Sequence, residues 1–86
     1  ASVRDLQPQS LQIALTADGR VVFDGRDIGL DGVRGVVSRQ LREREVPVVV
    51  LADGETRTAA LVDLLDECRR AGASHISIAA RREENH

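Results

Sequence analysis

Four residue types that carry much protein chemistry are absent or almost absent from this sequence. All 12 basic residues are Arg, there is no Trp or Tyr, and Phe23 is the one aromatic residue among 86. Without lysine the chain has no Schiff-base amine and no lysine for a phosphate-binding loop. Without a set of aromatic rings it has no surface on which nucleic-acid bases stack. These absences exclude amine catalysis and make stacking recognition of nucleic acids improbable.

Metal-ligating and reactive side chains are also scarce. The chain has one cysteine, Cys68, and two histidines, His75 and His86, so it has neither an intramolecular disulfide nor an ordinary four-ligand zinc site. No apolar run approaches the roughly 20 residues of a membrane span. The 12 basic and 14 acidic residues give a net charge of −2, which is not typical of a protein that binds nucleic acid or a membrane surface by charge.

Hydrophobic patterning divides the chain into three parts. Residues 1–10 are polar, contain Pro8 and read as a flexible arm or linker remnant. Residues 11–80 carry regular apolar periodicity and form one domain of a size that supports a modest core. Residues 81–86 are a charged tail that we expect to be disordered.

The first half of the domain predicts short antiparallel strands. Apolar residues alternate from Leu11 to Leu15, and a second apolar run begins at Val21. The Asp18-Gly19 pair between them predicts a hairpin of two antiparallel strands, because both turn residues can take positive φ. Asp24-Gly25 turns the chain again before a short edge strand at residues 26–28.

The second half predicts a helix, a buried strand, a second helix and a last strand. The helices are expected over residues 31–44, with Asp31 as N-cap, and over residues 58–71, with Gly72 as the stop. The central run at residues 48–51 has apolar residues for both sheet faces. The sequence therefore predicts an α+β two-layer sandwich in the order β-β-(β)-α-β-α-β, with a mixed sheet of about four to five strands. Two helices cover one sheet face, so the other meets water or a partner.

No group of residues predicts a catalytic or cofactor site. Cys68 falls on the apolar face of the second predicted helix and reads as a small core residue, whereas His75 reads as a surface residue. Asp63, Asp66 and Glu67 lie on the polar side of the same helix and are expected to be solvated. We therefore expect a protein that is not an enzyme and binds no metal or cofactor.

The segment from Val49 to Ala80, VVLADGETRTAALVDLLDECRRAGASHISIAA, resembles the C-terminal half of the ExbD/TolR family of biopolymer-transport proteins. The family pattern is an apolar strand ending in Ala-Asp, a helix similar to Leu-Val-x-Val-Met-Asp, then Ala-Gly and a final apolar strand. Four segments of this sequence match that pattern in order and spacing: Ala52-Asp53, the run LVDLLD from Leu61, Ala71-Gly72 and residues 76–78. Thr58 departs from it, because relatives often have an aromatic residue there.

The resemblance implies the periplasmic domain of a single-pass inner-membrane protein whose membrane helix lies outside this sequence. Such a domain binds rather than catalyses, in a complex with an ExbB/TolQ-like channel subunit driven by the proton-motive force. Relatives dimerise and contact a TonB/TolA-like transducer or peptidoglycan. The candidate dimer or partner strand is Ile76, Ser77, Ile78, Ala79 and Ala80; the candidate exchangeable arm is Val3, Arg4, Asp5 and Leu6; the family-matched turn residue is Asp53.

Asp53-Gly54 leaves an alternative open. These residues follow the central strand at its carboxyl end, where open α/β sheets tend to bind ligands. The sequence is therefore also compatible with a cytosolic regulatory domain that senses a small ligand at this turn, although a turn residue leading into the second helix is the simpler explanation of the pair.

Overall fold

The computed structural model of the chain describes residues 9–81. It has the element order expected from the sequence. The elements are β1 (Leu11–Leu15), β2 (Val21–Phe23), β3 (Arg26–Asp27), α1 (Gly29–Glu43), β4 (Val48–Asp53), α2 (Thr58–Arg70) and β5 (Ile76–Arg81).

The described strands form one mixed sheet in the order β3-β2-β1-β4-β5. β1, β4 and β5 are parallel, whereas β2 pairs antiparallel with both β1 and β3. The predicted α+β architecture is confirmed, including the parallel crossover from β4 through α2 to β5. Because β5 follows β4 at the end of this order, it forms one edge of the sheet.

The two Asp-Gly turns differ from each other. In the first, the Thr16 N–H donates to the Arg20 carbonyl at 2.9 Å, and Gly19 has a positive φ while Asp18 does not. This is a three-residue loop in which Gly19 alone has a positive φ, and the predicted antiparallel pairing of β1 with β2 is confirmed. In the second turn both residues have a positive φ, 54° at Asp24 and 78° at Gly25, between the paired residues Phe23 and Arg26.

The core lies between the sheet and the helices. β1 and β4 bury alternate residues, so Ile13, Val48 and Val50 are fully enclosed while Val49 and Leu51 point to the other face. The helices contribute the fully buried side chains Val33, Val37, Leu64 and Cys68. The prediction that the central run divides its apolar residues between both faces is confirmed.

Helix α1 begins two residues earlier than predicted. Its N-cap is Ile28 and Asp31 lies in the first turn, so the assignment of Asp31 as N-cap is wrong. The carboxylate of Asp27 accepts a hydrogen bond from the Gly29 N–H at 3.1 Å, and thereby satisfies one donor at this helix end. Helix α2 begins at Thr58 as predicted and ends at Arg70, and Gly72 follows with the positive φ typical of a helix stop.

An ion pair joins the two helices. The Arg34 Nε and Nη2 donate to the Glu67 Oε1 and Oε2 at 3.0 and 3.1 Å. The Arg34 guanidinium holds the pKa of the Glu67 carboxyl below its ordinary value, mainly through this hydrogen bonding. The expectation that Glu67 is simply solvated is therefore wrong. The bidentate ion pair of Glu67 with Arg34 favours one orientation of α2 against α1.

Candidate partner-binding strand

Strand β5 presents its main chain to the outside of the sheet along its whole length. It pairs with β4 from Val48↔Ile76 to Asp53↔Arg81, and no described strand pairs with its other side. The Val48 N–H donates to the His75 carbonyl at 2.8 Å. Since alternate residues of a parallel strand turn their main-chain groups to the same neighbour, Ile76, Ile78 and Ala80 direct their N–H and C=O groups away from β4.

The side chains of these same three residues lie on the helix-covered face. Ile78 pairs with the buried Val50 and Ile76 with the buried Val48, and paired residues share a sheet face. Ile78 nevertheless remains 50% exposed, because no strand lies beyond it. The edge therefore combines unpaired main-chain groups with a half-exposed apolar side chain, which is the combination that accepts an added strand.

Helix α2 leaves one large apolar side chain exposed. Val62 is 52% exposed. It lies two positions before the buried Leu64 and six before the buried Cys68, which at 3.6 residues per turn places it about 160° and about 120° around the helix from them. Val62 therefore lies on the face of α2 turned away from the sheet and is not part of the β5 edge.

Asp53 closes the connection from β4 to α2. Its Oδ1 accepts from the Glu55 N–H at 2.9 Å, and its carbonyl accepts from the Thr56 N–H at 2.9 Å. The Thr56 hydroxyl in turn donates toward the Leu15 and Thr16 carbonyls at 3.4 and 3.3 Å. The carboxylate is thus used in forming the turn and tying it to β1, which is the structural role that the Asp-Gly pair predicts.

The remaining candidate groups do not converge on a reactive site. Cys68 is fully buried, and burial raises the pKa of its thiol to about 11, so the nucleophilic thiolate is disfavoured. Asp66 pairs with Arg70 at 2.9 Å. Within residues 9–81 no three His, Cys, Asp or Glu side chains are grouped closely enough to hold a metal ion.

A comparison with protein-family models gives one match that spans residues 1–83, to the family described as biopolymer transport protein ExbD/TolR. The chain belongs to the ExbD/TolR family. No individual curated protein matches it. The family assignment predicted from the Ala-Asp, LVDLLD and Ala-Gly segments is thereby confirmed, and the match includes residues 1–8 as well as the residues that the structure describes.

The sheet of this ExbD/TolR chain has one face without helices. Ala14, Val22, Val49 and Leu51 lie on it and are each half-buried, and the registers Val22↔Ala14↔Leu51 align three of them across three strands. The face is apolar at its centre. The expectation of a sheet face left to water or a partner is therefore confirmed for residues 9–81.

The other candidate segment of the ExbD/TolR chain, the arm Val3 to Leu6, lies outside the described residues. The chain enters the described part at Gln9, which lines an open cavity of about 440 Å³ together with Phe23, Gln40 and Val46. Neither α1 nor α2 has the length and apolar character of a membrane span.

Proposed function

We propose that this chain is the non-catalytic periplasmic domain of an inner-membrane protein in a complex of the ExbB–ExbD or TolQ–TolR type. Such a complex uses the proton-motive force to drive transport or to energise the outer envelope. The family match over residues 1–83 carries the proposal. The β5 edge supports it, because an open strand is suited to binding a protein and has no catalytic groups.

The domain acts in this proposal by strand addition. Ile76, Ile78 and Ala80 offer outward main-chain donors and acceptors, so an extended segment that lies beside them gains hydrogen bonds regardless of most of its sequence. The partners are a second copy of the chain and a TonB/TolA-like transducer or peptidoglycan. The ExbB/TolQ-like channel subunit is contacted through a membrane helix that lies outside this sequence.

Two further features favour binding over catalysis. The thiol of Cys68, the strongest potential nucleophile, is enclosed by the core. The carboxylate of Asp53 is already hydrogen-bonded within its own turn, which argues against the alternative of a ligand-sensing site there.

Protease accessibility of the natural full-length protein in fractionated cells tests the proposed compartment. We expect the domain to sediment with the inner membrane and to be cut only after the outer membrane is permeabilised. A periplasmic and a cytoplasmic marker protein followed in the same samples establish which membrane was breached. A domain that is recovered in the soluble cytoplasmic fraction contradicts the proposal.

Substitution of the edge tests the proposed binding element. Lysine on an edge strand opposes pairing, so Ile78→Lys in the full-length protein should reduce cross-linking to the transducer and to a second copy by tenfold or more. Leu30→Lys is the matched control, because Leu30 is also a partly exposed apolar residue, at 38% exposure, but lies at the start of α1. Equal loss of cross-linking in both variants argues against the edge.

A further inference from the structure

We propose that a cavity between the β2–β3 hairpin and helix α1 binds a carboxylate that carries a small apolar group, either a free acid or the last residue of a peptide. The cavity has a volume of about 160 Å³. It lies on the opposite side of the sheet from β5, because β3 forms the other end of the strand order. The inference therefore goes beyond the proposed function, and no residue of the β5 edge takes part in it.

Two arginines from different elements border this cavity. Arg26 pairs with Phe23 across the hairpin, and paired residues share a sheet face. Phe23 packs against the core, so the Arg26 side chain also lies on the helix-covered face. Arg39 comes from α1, where Val36, Arg39 and Gln40 lie on one side of the helix at three- and four-residue spacing. The packing of α1 over the hairpin thus brings both guanidinium groups to one cavity.

Neither of these two guanidinium groups has an anionic partner within residues 9–81. The ion pairs in that part of the chain use Arg20, Arg34 and Arg70 instead. Like charges that border one cavity repel each other and concentrate an anion there. Asp24 is the acidic residue of the lining and belongs to none of those ion pairs. Two positive charges and one negative charge leave the cavity with an excess of one positive charge.

The remaining wall of the cavity is mainly apolar. Phe23, Ile28 and Val36 line it and are each half-buried, so a ligand that fits has an apolar part as well as a negative charge. A carboxylate accepts the two parallel hydrogen bonds that an arginine side chain donates. It also balances the excess of one positive charge, whereas the dianion of inorganic phosphate exceeds it. The cavity therefore favours an apolar carboxylic acid over phosphate.

The size of the cavity limits the ligand to a small group. Sites for drug-sized ligands have volumes of about 300–1,000 Å³, so a volume of about 160 Å³ accepts a single side chain with its carboxylate. The open cavity of about 440 Å³ near Gln9 shares Phe23 and Gln40 with this one, so the two cavities are neighbours. A peptide whose last residue occupies the smaller cavity can continue into the larger one, whereas a free acid needs only the smaller.

Titration of the 86-residue chain with N-acetyl-L-leucine, followed by ¹H–¹⁵N NMR, tests the site. The signals of Arg26 and Arg39, including their side-chain Nε–H groups, should shift and saturate with a dissociation constant on the order of 1–10 mM, as expected for so small a ligand. The amide of the same compound lacks the negative charge, and acetate lacks the apolar part. Each should bind roughly tenfold more weakly or less. Equal affinity for N-acetyl-L-leucine and its amide overturns the proposal.

Substitutions of the lining assign the binding to these side chains. Arg26→Gln and Arg39→Gln should each weaken the binding of N-acetyl-L-leucine about fivefold, because each removes one charge-assisted contact at an exposed site. Arg42→Gln is the matched control, since Arg42 is an exposed arginine of the same helix outside the lining. Asp24→Asn should strengthen binding about two- to threefold, because it removes the opposing charge and asparagine tolerates the positive φ of this position. Circular dichroism confirms that each variant is folded, and equal affinity of the three arginine variants overturns the site.

Two further ligands identify the class and the source of the carboxylate. Inorganic phosphate that binds more tightly than N-acetyl-L-leucine overturns the assignment to a carboxylate. The peptide N-acetyl-Ala-Ala-Leu with a free carboxyl end should also bind: tighter binding that shifts the signals of residues 9–12 in the larger cavity supports the end of a peptide, and binding equal to that of N-acetyl-L-leucine supports a free acid. None of these outcomes alters the proposed function, which is tested by membrane association and by the β5 edge.

Discussion

Truncation of Leu64 is expected to destabilise the domain more than the identical truncation of Leu30. Leu64 in α2 is fully buried and belongs to the core, whereas Leu30 in α1 is 38% exposed. Leu→Ala removes three carbon atoms, worth roughly 0.8 kcal/mol each when buried, so the transfer loss at Leu64 is about 2.4 kcal/mol. The cavity left in a close-packed core brings the total to about 3 kcal/mol.

Leu30→Ala should cost only about 1 kcal/mol, because part of that side chain already contacts water and no enclosed cavity forms. Urea unfolding followed by circular dichroism at low micromolar concentration measures both values, and the slope of the transition should stay unchanged. In thermal unfolding a difference of about 2 kcal/mol corresponds to roughly 8–16 °C for a domain of this size. Equal losses in the two variants would refute the placement of α2 on the sheet.

One chemical treatment and three other substitutions have expected outcomes. The Cys68 thiol, with its pKa raised to about 11 by burial, should react with iodoacetamide at pH 8 only as fast as the domain opens, and at the free-thiol rate in urea. Because Arg34 lowers the pKa of Glu67 in the folded state, this pair stabilises the fold above the ordinary pKa of 4.5 and the effect is lost as pH falls through the lowered value. Arg34→Ala should therefore flatten the dependence of the melting temperature on pH below about 5, and an unchanged slope would count against the ion pair. Gly35 lies in helical backbone with open space around it, so Gly35→Ala should stabilise the domain by about 0.5–1 kcal/mol. Gly72 has a φ of 108°, so Gly72→Ala should destabilise the domain by about 1 kcal/mol. Chemical denaturation of both variants checks whether the two changes in unfolding free energy have opposite signs.

Local patterning predicted the elements of this fold well. The alternation from Leu11 to Leu15 and the four-residue spacing through α1 and α2 are properties of short stretches of chain, and each gave an element of the expected type. Boundaries were less predictable. Helix α1 begins at Gly29, and the Asp27 carboxylate rather than that of Asp31 accepts a hydrogen bond from the first N–H of the helix; both residues are suitable acceptors by type.

The candidate site was only partly predictable. Residues 76–80 were proposed as a candidate partner strand from the resemblance to the ExbD/TolR family. Their position at an edge and the outward direction of the Ile78 main chain follow from how β5 packs beside β4.

The sequence by itself determined the strands, the helices, the turn residues and the family of this protein, because each depends on the spacing of apolar residues and on the backbone preferences of glycine, proline and aspartate. The tertiary structure decided which strand has a free edge and which distant residues meet. Glu67 and Arg34 are 33 residues apart and Thr56 and Leu15 are 41 apart, and such contacts arise only when the layers have packed. The edge of β5 is open for the same reason, since strand order in a sheet is a property of the assembled layers and not of any one segment.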